Sequence, residues 1–394
     1  MDTEGEINIS PIAGLLHNKG MTTTVAQTID QRESLTLASY AQFSRDCRGR
    51  KHPEEEHPYR GPFQRDRDRI VHSAAFRRLA DKTQVFTSLS DYHRTRLTHT
   101  MEVASIARTI SRALRLNEDL TEALALVHDI GHPPYGHAGE DVLAELLDGH
   151  GGFSHNQYAL TIVEELEVRT SDYKGLNLTY EVLESQTTRI DKTALLNADD
   201  DGPLLEAQVV EAADSITYDA HDCDDAMKLG LVSIDELLDL PLIQKCAVRA
   251  SEVLDSDPRL ARKMLVRDLI DYQVSDVLAA AQSEFASVEY ESSTDARRSD
   301  FLVETSPALA ALKGELEAFL YKRVYRHPDI VVVRQQAARQ LRELFGTYLA
   351  APEELPQRHR QRIADVGVHR AIGDFIAGMT EGYFHQQCAK LNCQ

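Results

Sequence analysis

Apolar residues recur at helical spacing along most of the chain from about residue 70. Val103, Ile106, Ile110 and Leu114 fall three or four positions apart and mark one buried helical face. Asn117 stands where a cap would begin the next helix, with Glu118 and Asp119 in its first turn. That helix turns Leu120, Leu124 and Val127 inward and stops at Gly131-His132-Pro133-Pro134. Further helical stretches are predicted near 140–148, 156–168, 204–229, 233–251, 259–287, 305–325, 329–349 and about 364–390, with polar breaks near 187–203, 289–300 and 350–361. Strand-type alternation is scarce, and no internal repeat or low-complexity tract is found. The pattern predicts an all-α fold in one compact unit with a C-terminal helical subregion. Residues 1–30 show no clear period, and 1–35 read as a loosely attached, flexible N-terminal extension. The folded unit is expected to span 36–390, with a core at about 66–230 and a C-terminal helical part at about 231–390.

Composition narrows the class without naming a reaction. The 394 residues are ample for a buried core, and 42% hydrophobic with 27% charged residues is ordinary for a globular protein. No apolar run approaches a membrane span, so no membrane association is expected. The acidic N-terminus, MDTEGEINIS, lacks the layout of a secretory signal. The cysteines, Cys47, Cys223, Cys246, Cys388 and Cys393, are odd in number and form no CxxC pair. A reducing, cytoplasmic location is therefore expected, with no zinc–cysteine site. The net charge of −20 disfavours general nucleic-acid binding. Residues 41–96 depart from it, with 13 Lys and Arg against 8 Asp and Glu. A basic segment in an acidic protein suits capture of a small polyanion.

Histidine is the outlier. His128, His132, His137, His150 and His155 fall within 28 residues, against about one expected from the sixteen in the chain. His128 follows Leu124 by four and so points inward, beside Asp129. A buried imidazole and carboxylate side by side are costly unless something pairs with them, and a divalent cation does. The Gly131-Pro133-Pro134 break can turn His132 and His137 back over the same place. His99 heads the buried stripe that continues through Val103 and Ile106. Asp214, Tyr218, His221 and Asp222 share one face of a later helix, next to apolar Val210 and Ala213.

The order His99, His128-Asp129, Asp214 is the H…HD…D arrangement of the HD-domain phosphohydrolases. The surrounding segments make the resemblance specific: DRDRIVHSAAFRRLADKTQVF (66–86), TRLTHTMEVASIAR (95–108), HDIGHPPYGHAGE (128–140), GGFSHN (151–156), EAADSITYDAHDCDDA (211–226), YRHP (325–328) and FIAGMTEGYF (375–384). Together they resemble the bacterial dGTP triphosphohydrolase branch, in order, over roughly residues 40–390. The resemblance implies the helical HD phosphohydrolase fold and a divalent cation held by His99, His128, Asp129 and Asp214. It implies hydrolysis of a deoxynucleoside triphosphate to deoxynucleoside and inorganic triphosphate. His137 and Glu140 match the family's proposed catalytic pair, and a histidine oriented by a carboxylate is a workable proton-transfer unit. His132 and His155 would face the phosphates.

Arg96, one helical turn before His99, is a candidate phosphate contact. Gln84 resembles the family's sugar-contacting glutamine, and Tyr218 and Asp222 match the residues beside the deoxyribose, with Tyr325 a further pocket candidate. A tyrosine ring packed against C2′ would exclude a 2′-hydroxyl. Two imidazoles and two carboxylates suit Mn²⁺, Fe²⁺, Zn²⁺ or Ni²⁺ better than Mg²⁺, and Co²⁺ also qualifies. The resemblance further suggests a homo-oligomer, a tetramer or hexamer, and leaves open an allosteric nucleotide. The basic segment leaves open weak single-stranded DNA binding. Two rival readings stand beside this one: another HD phosphohydrolase acting on a different nucleotide, and a dNTP-sensing protein without turnover. The KTQVF and ITYDAHD segments favour deoxyribose, and intact His137 and Glu140 favour turnover.

Overall fold

A computed structural model describes residues 28–84, 94–190 and 201–393. Most of the N-terminal extension, residues 1–27, lies outside the described residues, as does the centre of the 187–203 break. Among the described residues the fold is all-α. Its extended pairings are isolated bridges such as Thr83 with Thr95, and there is no sheet. No helix among them is long and apolar enough to cross a membrane.

Helix α1 spans Pro62–Val71. Helix α2 spans Arg96–Ala113 and begins where the Thr95 hydroxyl accepts from the Thr98 amide, about a turn before the apolar stripe becomes visible in the sequence. Helix α3 spans Glu118–Val127, and its cap is the one expected, the Asn117 side chain accepting from the Leu120 amide at 3.2 Å. Helices α4 (Gly136–Leu146), α5 (His155–Thr161), α6 (Tyr180–Thr188) and α7 (Leu205–Lys228) follow. Helix α3 is wedged between α1, α2 and α7, which explains why it is apolar nearly all round.

Beyond α7 the sequence reading is corrected in two places. The stretch near 233–251 is three short helices, Ile234–Leu238, Pro241–Cys246 and Val248–Val253. Pro241 has no amide proton to continue a helix through it and instead opens the second of them. The stretch near 364–390 is likewise divided into Gln357–Val366, Val368–Ala377 and Glu381–Leu391. Gly367, at φ +82°, makes the first break in a conformation that other residues adopt only with strain. The long helices α8 (Pro258–Ser287), α9 (Pro307–Leu320) and α10 (Pro328–Ala350) lie close to where the periodicity put them. Helix α9 ends in a π-turn over Tyr321–Tyr325, a local widening that aims Tyr325 inward.

Two hydrophobic clusters meet along α7. Its first half packs Val209, Val210, Ala213 and Ile216 into the larger cluster, built mainly from α1 to α6. Its second half packs Ala220, Cys223 and Ala226 into a smaller one with α8, α9 and the short helices. Residues 341–388 return to the larger cluster through Leu341, Phe345, Phe375 and Phe384. The polar face of α7, carrying Asp214, Tyr218 and Asp222, thus lies at the seam between the two cores.

Candidate functional site

The end of α3 delivers His128 and Asp129 into the protein interior, where both are buried. The Nδ1 of His128 lies 2.6 Å from the Ala125 carbonyl oxygen, which can only accept. The ring proton is therefore on Nδ1, and the lone pair of Nε2 points into the site. That Nε2 has no hydrogen-bond partner among the described residues. It stands 3.7 Å from Asp214 Oδ1 and 3.7 Å from Asp129 Oδ1. His99, from the first turn of α2, places Nε2 3.0 Å from the same Asp214 oxygen. Burial keeps His128 below the ordinary histidine range and so neutral. Burial works against ionisation of Asp214 and Asp129 as well. His128, His99 and Arg189 nevertheless hold Asp214 well below the usual carboxylate range. His132, Arg96 and His128 do the same for Asp129.

This donor set fits a divalent cation. One orphaned, buried imidazole nitrogen and a second imidazole face ionised carboxylate oxygens, and one donor atom each of His99, His128 and Asp214 lie within 4.8 Å of one another. Three of the four ligands expected from the sequence, His99, His128 and Asp214, are brought together, while Asp129 stands alongside with Oδ1 3.7 Å from His128 Nε2 and 2.8 Å from His132 Nδ1.

A second group sits on the other side of Asp129. His132 Nδ1 is 2.8 Å from Asp129 Oδ1, and its ring stacks on that of His155 with centroids 3.8 Å apart. Glu140, on α4, holds two imidazoles at once. One oxygen lies 3.0 Å from His137 Nδ1, and both lie within 2.9 Å of His155 Nδ1. Glu140 also accepts from the His155 amide at 2.8 Å. Burial opposes ionisation of Glu140, yet these bonds keep it well below the usual range. The sequence reading paired Glu140 with His137 alone, and the structure adds His155. The turn between the groups is held tight by Gly131, where any side-chain carbon would fall 1.9 Å from the His155 carbonyl oxygen.

Gln84, Arg96, His99, Asp129, His132, His137, His155, Asp214 and Tyr218 line one cavity of about 230 Å³. Arg96 is buried and donates to Asp129 Oδ2 at 2.8 Å, so it carries part of the HD carboxylate as well as facing the cavity. Tyr218, Tyr325 and Asp222 form a hydrogen-bonded set behind the cavity wall. Tyr325 donates to Asp222 at 2.5 Å and meets the Tyr218 hydroxyl. Tyr325 itself opens on a smaller adjoining pocket that shares Gln84 and His137. A larger cavity, about 640 Å³, lies beyond Arg189 and Glu211 and touches none of these histidines.

Three residues at the site were missed by sequence reasoning. Arg189 closes the end of α6 and reaches Asp214 Oδ2 at 3.3 Å and Glu211 at 2.5 Å. It lies in no periodic stretch, and its signal was only a lone basic residue before a polar break. Lys82 is fully buried and donates to the His132 carbonyl at 2.5 Å and the Ala377 carbonyl at 3.0 Å, tying the HD turn to the C-terminal helices. Its burial pushes the ammonium well below the usual lysine range. Asn156 lines the cavity beside His155.

Comparison with known proteins agrees with this geometry. The HD domain model matches residues 96–219, the span from Arg96 through Asp214, and the phosphohydrolase-associated domain model matches residues 303–390. Proteins called deoxyguanosinetriphosphate triphosphohydrolase-like are similar over nearly the whole length. The one from Rhizobium etli is 41% identical, covering 90% of this chain and 96% of its own. That from a Caulobacter species is 43% identical over 90% and 96%, and that from Geobacter sulfurreducens 41% over 91% and 96%. A crystal structure of a hypothetical protein from Aquifex aeolicus superposes at a TM-score of 0.30 and 17% identity, covering 74% of this chain and 79% of that one, too loosely to add to the assignment. With relatives this similar along nine-tenths of its length, the chain belongs to the deoxyguanosinetriphosphate triphosphohydrolase-like family of HD-domain phosphohydrolases.

Proposed function

We propose that this protein hydrolyses deoxynucleoside triphosphates to a deoxynucleoside and inorganic triphosphate, with a divalent cation held by His99, His128, Asp129 and Asp214. The observation that carries the reading is the convergence of His99, His128 and Asp214 beside a cavity lined by His99, Asp129, Asp214 and the Glu140-oriented His137 and His155. A cation there supplies charge neutralisation for phosphate and a lowered pKa for water.

The chain's own residues supply the rest. Water adds at the α-phosphorus, the bond to the 5′ oxygen breaks, and one proton passes from the water to the departing oxygen. His137, its Nδ1 on Glu140, is the group placed to move that proton. His132 and His155, each with Nδ1 on a carboxylate, turn their other nitrogens toward the phosphates. Arg96 and Arg189 add positive charge at the cavity wall. Gln84 offers both a donor and an acceptor to a sugar hydroxyl. Tyr218, held by Tyr325, which is bonded to Asp222, would leave little room for a ribose hydroxyl if its ring packs against C2′.

The test is a matrix of Mn²⁺, Fe²⁺, Co²⁺, Ni²⁺, Zn²⁺ and Mg²⁺ against the four dNTPs and their ribonucleotides, read by triphosphate release. His128→Ala serves as the control. Triphosphate is expected from dNTPs, in at least one metal, and not from the variant. Release of pyrophosphate or single phosphate would reject the stated reaction, and tight dNTP binding without turnover would make the protein a sensor.

A further inference from the structure

His99 and His128 are fixed by different means. For His128 the backbone does it, through the Ala125 carbonyl. For His99 no carbonyl of the described residues is hydrogen-bonded to Nδ1. Instead Nδ1 lies 3.3 Å from Nδ1 of His221, on α7, and the other nitrogen of His221 is bonded to the carboxylate of Glu102. Glu102 stands one turn after His99 on the same helix, so the chain of contacts leaves α2, crosses to α7 and returns. Both rings are buried, at 2% exposure each. Glu102 is itself held by Arg94 at 3.0 Å, and Arg94 also pairs with Asp224 and Asp225 on α7.

We propose that Glu102 and His221 are positioning residues for the cation site, forming a relay that sets the tautomer and tilt of His99. The inference rests on the four-ligand reading above. Its logic is one of donors and acceptors. An ionised carboxylate only accepts, so the His221 nitrogen facing Glu102 carries the proton. A neutral imidazole has one such proton, so His221 Nδ1 is left as an acceptor. It then takes the proton on His99 Nδ1, and His99 Nε2 is left with its lone pair aimed at Asp214 and the cation position. In this direction every contact up to His99 has one donor and one acceptor, and a cation between His99 Nε2 and Asp214 completes it; without the cation the 3.0 Å contact between His99 Nε2 and Asp214 pulls the row the other way, so Glu102 and Asp214 oppose each other across it. Without Glu102 it can reverse, and the proton on His99 then sits on the nitrogen that must bind metal. His221 therefore does more than fill the core, since both its nitrogens are spent on this row.

The experiment measures Mn²⁺ affinity by calorimetry on the full chain, together with the His99 tautomer by ¹⁵N-labelled histidine NMR on the metal-free protein. His221→Phe is expected to weaken Mn²⁺ binding by about 10- to 100-fold, the usual effect of losing such a partner, and to shift His99 toward the tautomer protonated on Nε2, where only Asp214 still accepts. Glu102→Gln should do the same more weakly. His221→Asn, whose amide oxygen can still accept from His99, should restore most of the affinity. If His221→Phe does not fold, Glu102→Gln at its half-exposed position keeps the question answerable. Wild-type affinity and an unchanged His99 tautomer in the folded variants would overturn the relay. Failure of the underlying site looks different, because His128→Ala would then bind Mn²⁺ as tightly as the wild type.

Discussion

The two histidine groups on either side of Asp129 are built in contrasting ways. In the inner group His99 and His128 are almost wholly buried, and each has one ring nitrogen pinned by an uncharged neighbour, a backbone carbonyl or another histidine. In the outer group the pins are carboxylates. Glu140 holds His137 and His155, Asp129 holds His132, and the His137 side chain is 59% exposed. An uncharged pin favours a neutral imidazole with a lone pair to give, which is what a metal ligand requires. A carboxylate pin orients an imidazole for proton exchange or for meeting phosphate, although at His132 burial and Arg96 outweigh the pin and hold the ring well below the ordinary histidine range. One helix end and one tight turn thus serve coordination on one side and proton traffic on the other.

If that division holds, the two groups fail in different ways when broken. Asp214→Asn removes the oxygen shared by both inner histidines. Metal retention should be lost, and triphosphate release should fall by several kcal/mol of transition-state stabilisation, on the order of 10³-fold. Glu140→Gln should keep metal content at the wild-type level while the rate falls by about 10²-fold, since two imidazoles lose their carboxylate together. Metal analysis and a rate assay on the same preparations decide it. Loss of metal from Glu140→Gln would erase the distinction between the groups.

The same contrast accounts for what the sequence disclosed. The inner group was legible through the ordered H…HD…D resemblance; helical position alone showed only that His99, before Val103 and Ile106, and the HD pair, at the end of an apolar helix, face buried neighbours. The outer group was legible as a density of histidines in HDIGHPPYGH, but its wiring was not. That Glu140 serves His155 depends on α5 docking against Gly131, a contact with no local signature. Arg189 and Lys82 were missed for a related reason. Their partners, Asp214 and the carbonyls of His132 and Ala377, are chosen by the packing of distant helices. The long helices were readable from period alone, whereas Tyr180–Thr188 was not, and the subdivision of 233–251 and 364–390 turned on a proline and a glycine whose effect depends on the surrounding packing.

Gly131 gives a finer way to separate the groups. A methyl group there meets the His155 carbonyl at 1.9 Å and the Ala159 amide nitrogen at 2.6 Å, both backbone atoms that cannot swing aside. Helix α5 must retreat and carry His155 with it. Gly131→Ala is expected to cost about 1–3 kcal/mol in stability and about tenfold in rate through the displaced imidazole. Metal content should stay unchanged, because the inner ligands hang from α2, α3 and α7. Denaturation midpoints and metal analysis check both halves, and a variant that loses metal would show that the two groups are mechanically one.

The smallest expected effect concerns a carboxylate outside both histidine groups. Asp222 is buried and faces Tyr218, Asp219 and Asp225 of its own helix and Tyr325 of the π-turn. Burial, reinforced by those acids, pushes its carboxyl up to about 7. Asp129 and Asp214 are held in the opposite direction by the imidazoles and guanidinium groups around them. In the unfolded chain Asp222 ionises near 3.8. Below that pH the group is protonated in both states and its favourable contribution is complete. As pH rises toward 7 the unfolded chain releases the proton while the folded one retains it, so stability falls and the loss levels off above 7. Asn at this position still accepts from Tyr325 and cannot ionise. Between pH 5.5 and 7.5 wild type should therefore lose roughly 2 kcal/mol relative to Asp222→Asn, at about 1.4 kcal/mol per unit of pH below the folded value. Urea midpoints of the two proteins at the two pH values measure it. Parallel stability profiles would mean that Asp222 is ionised in the folded protein, and that the tyrosine pair shields a charge instead of a neutral acid.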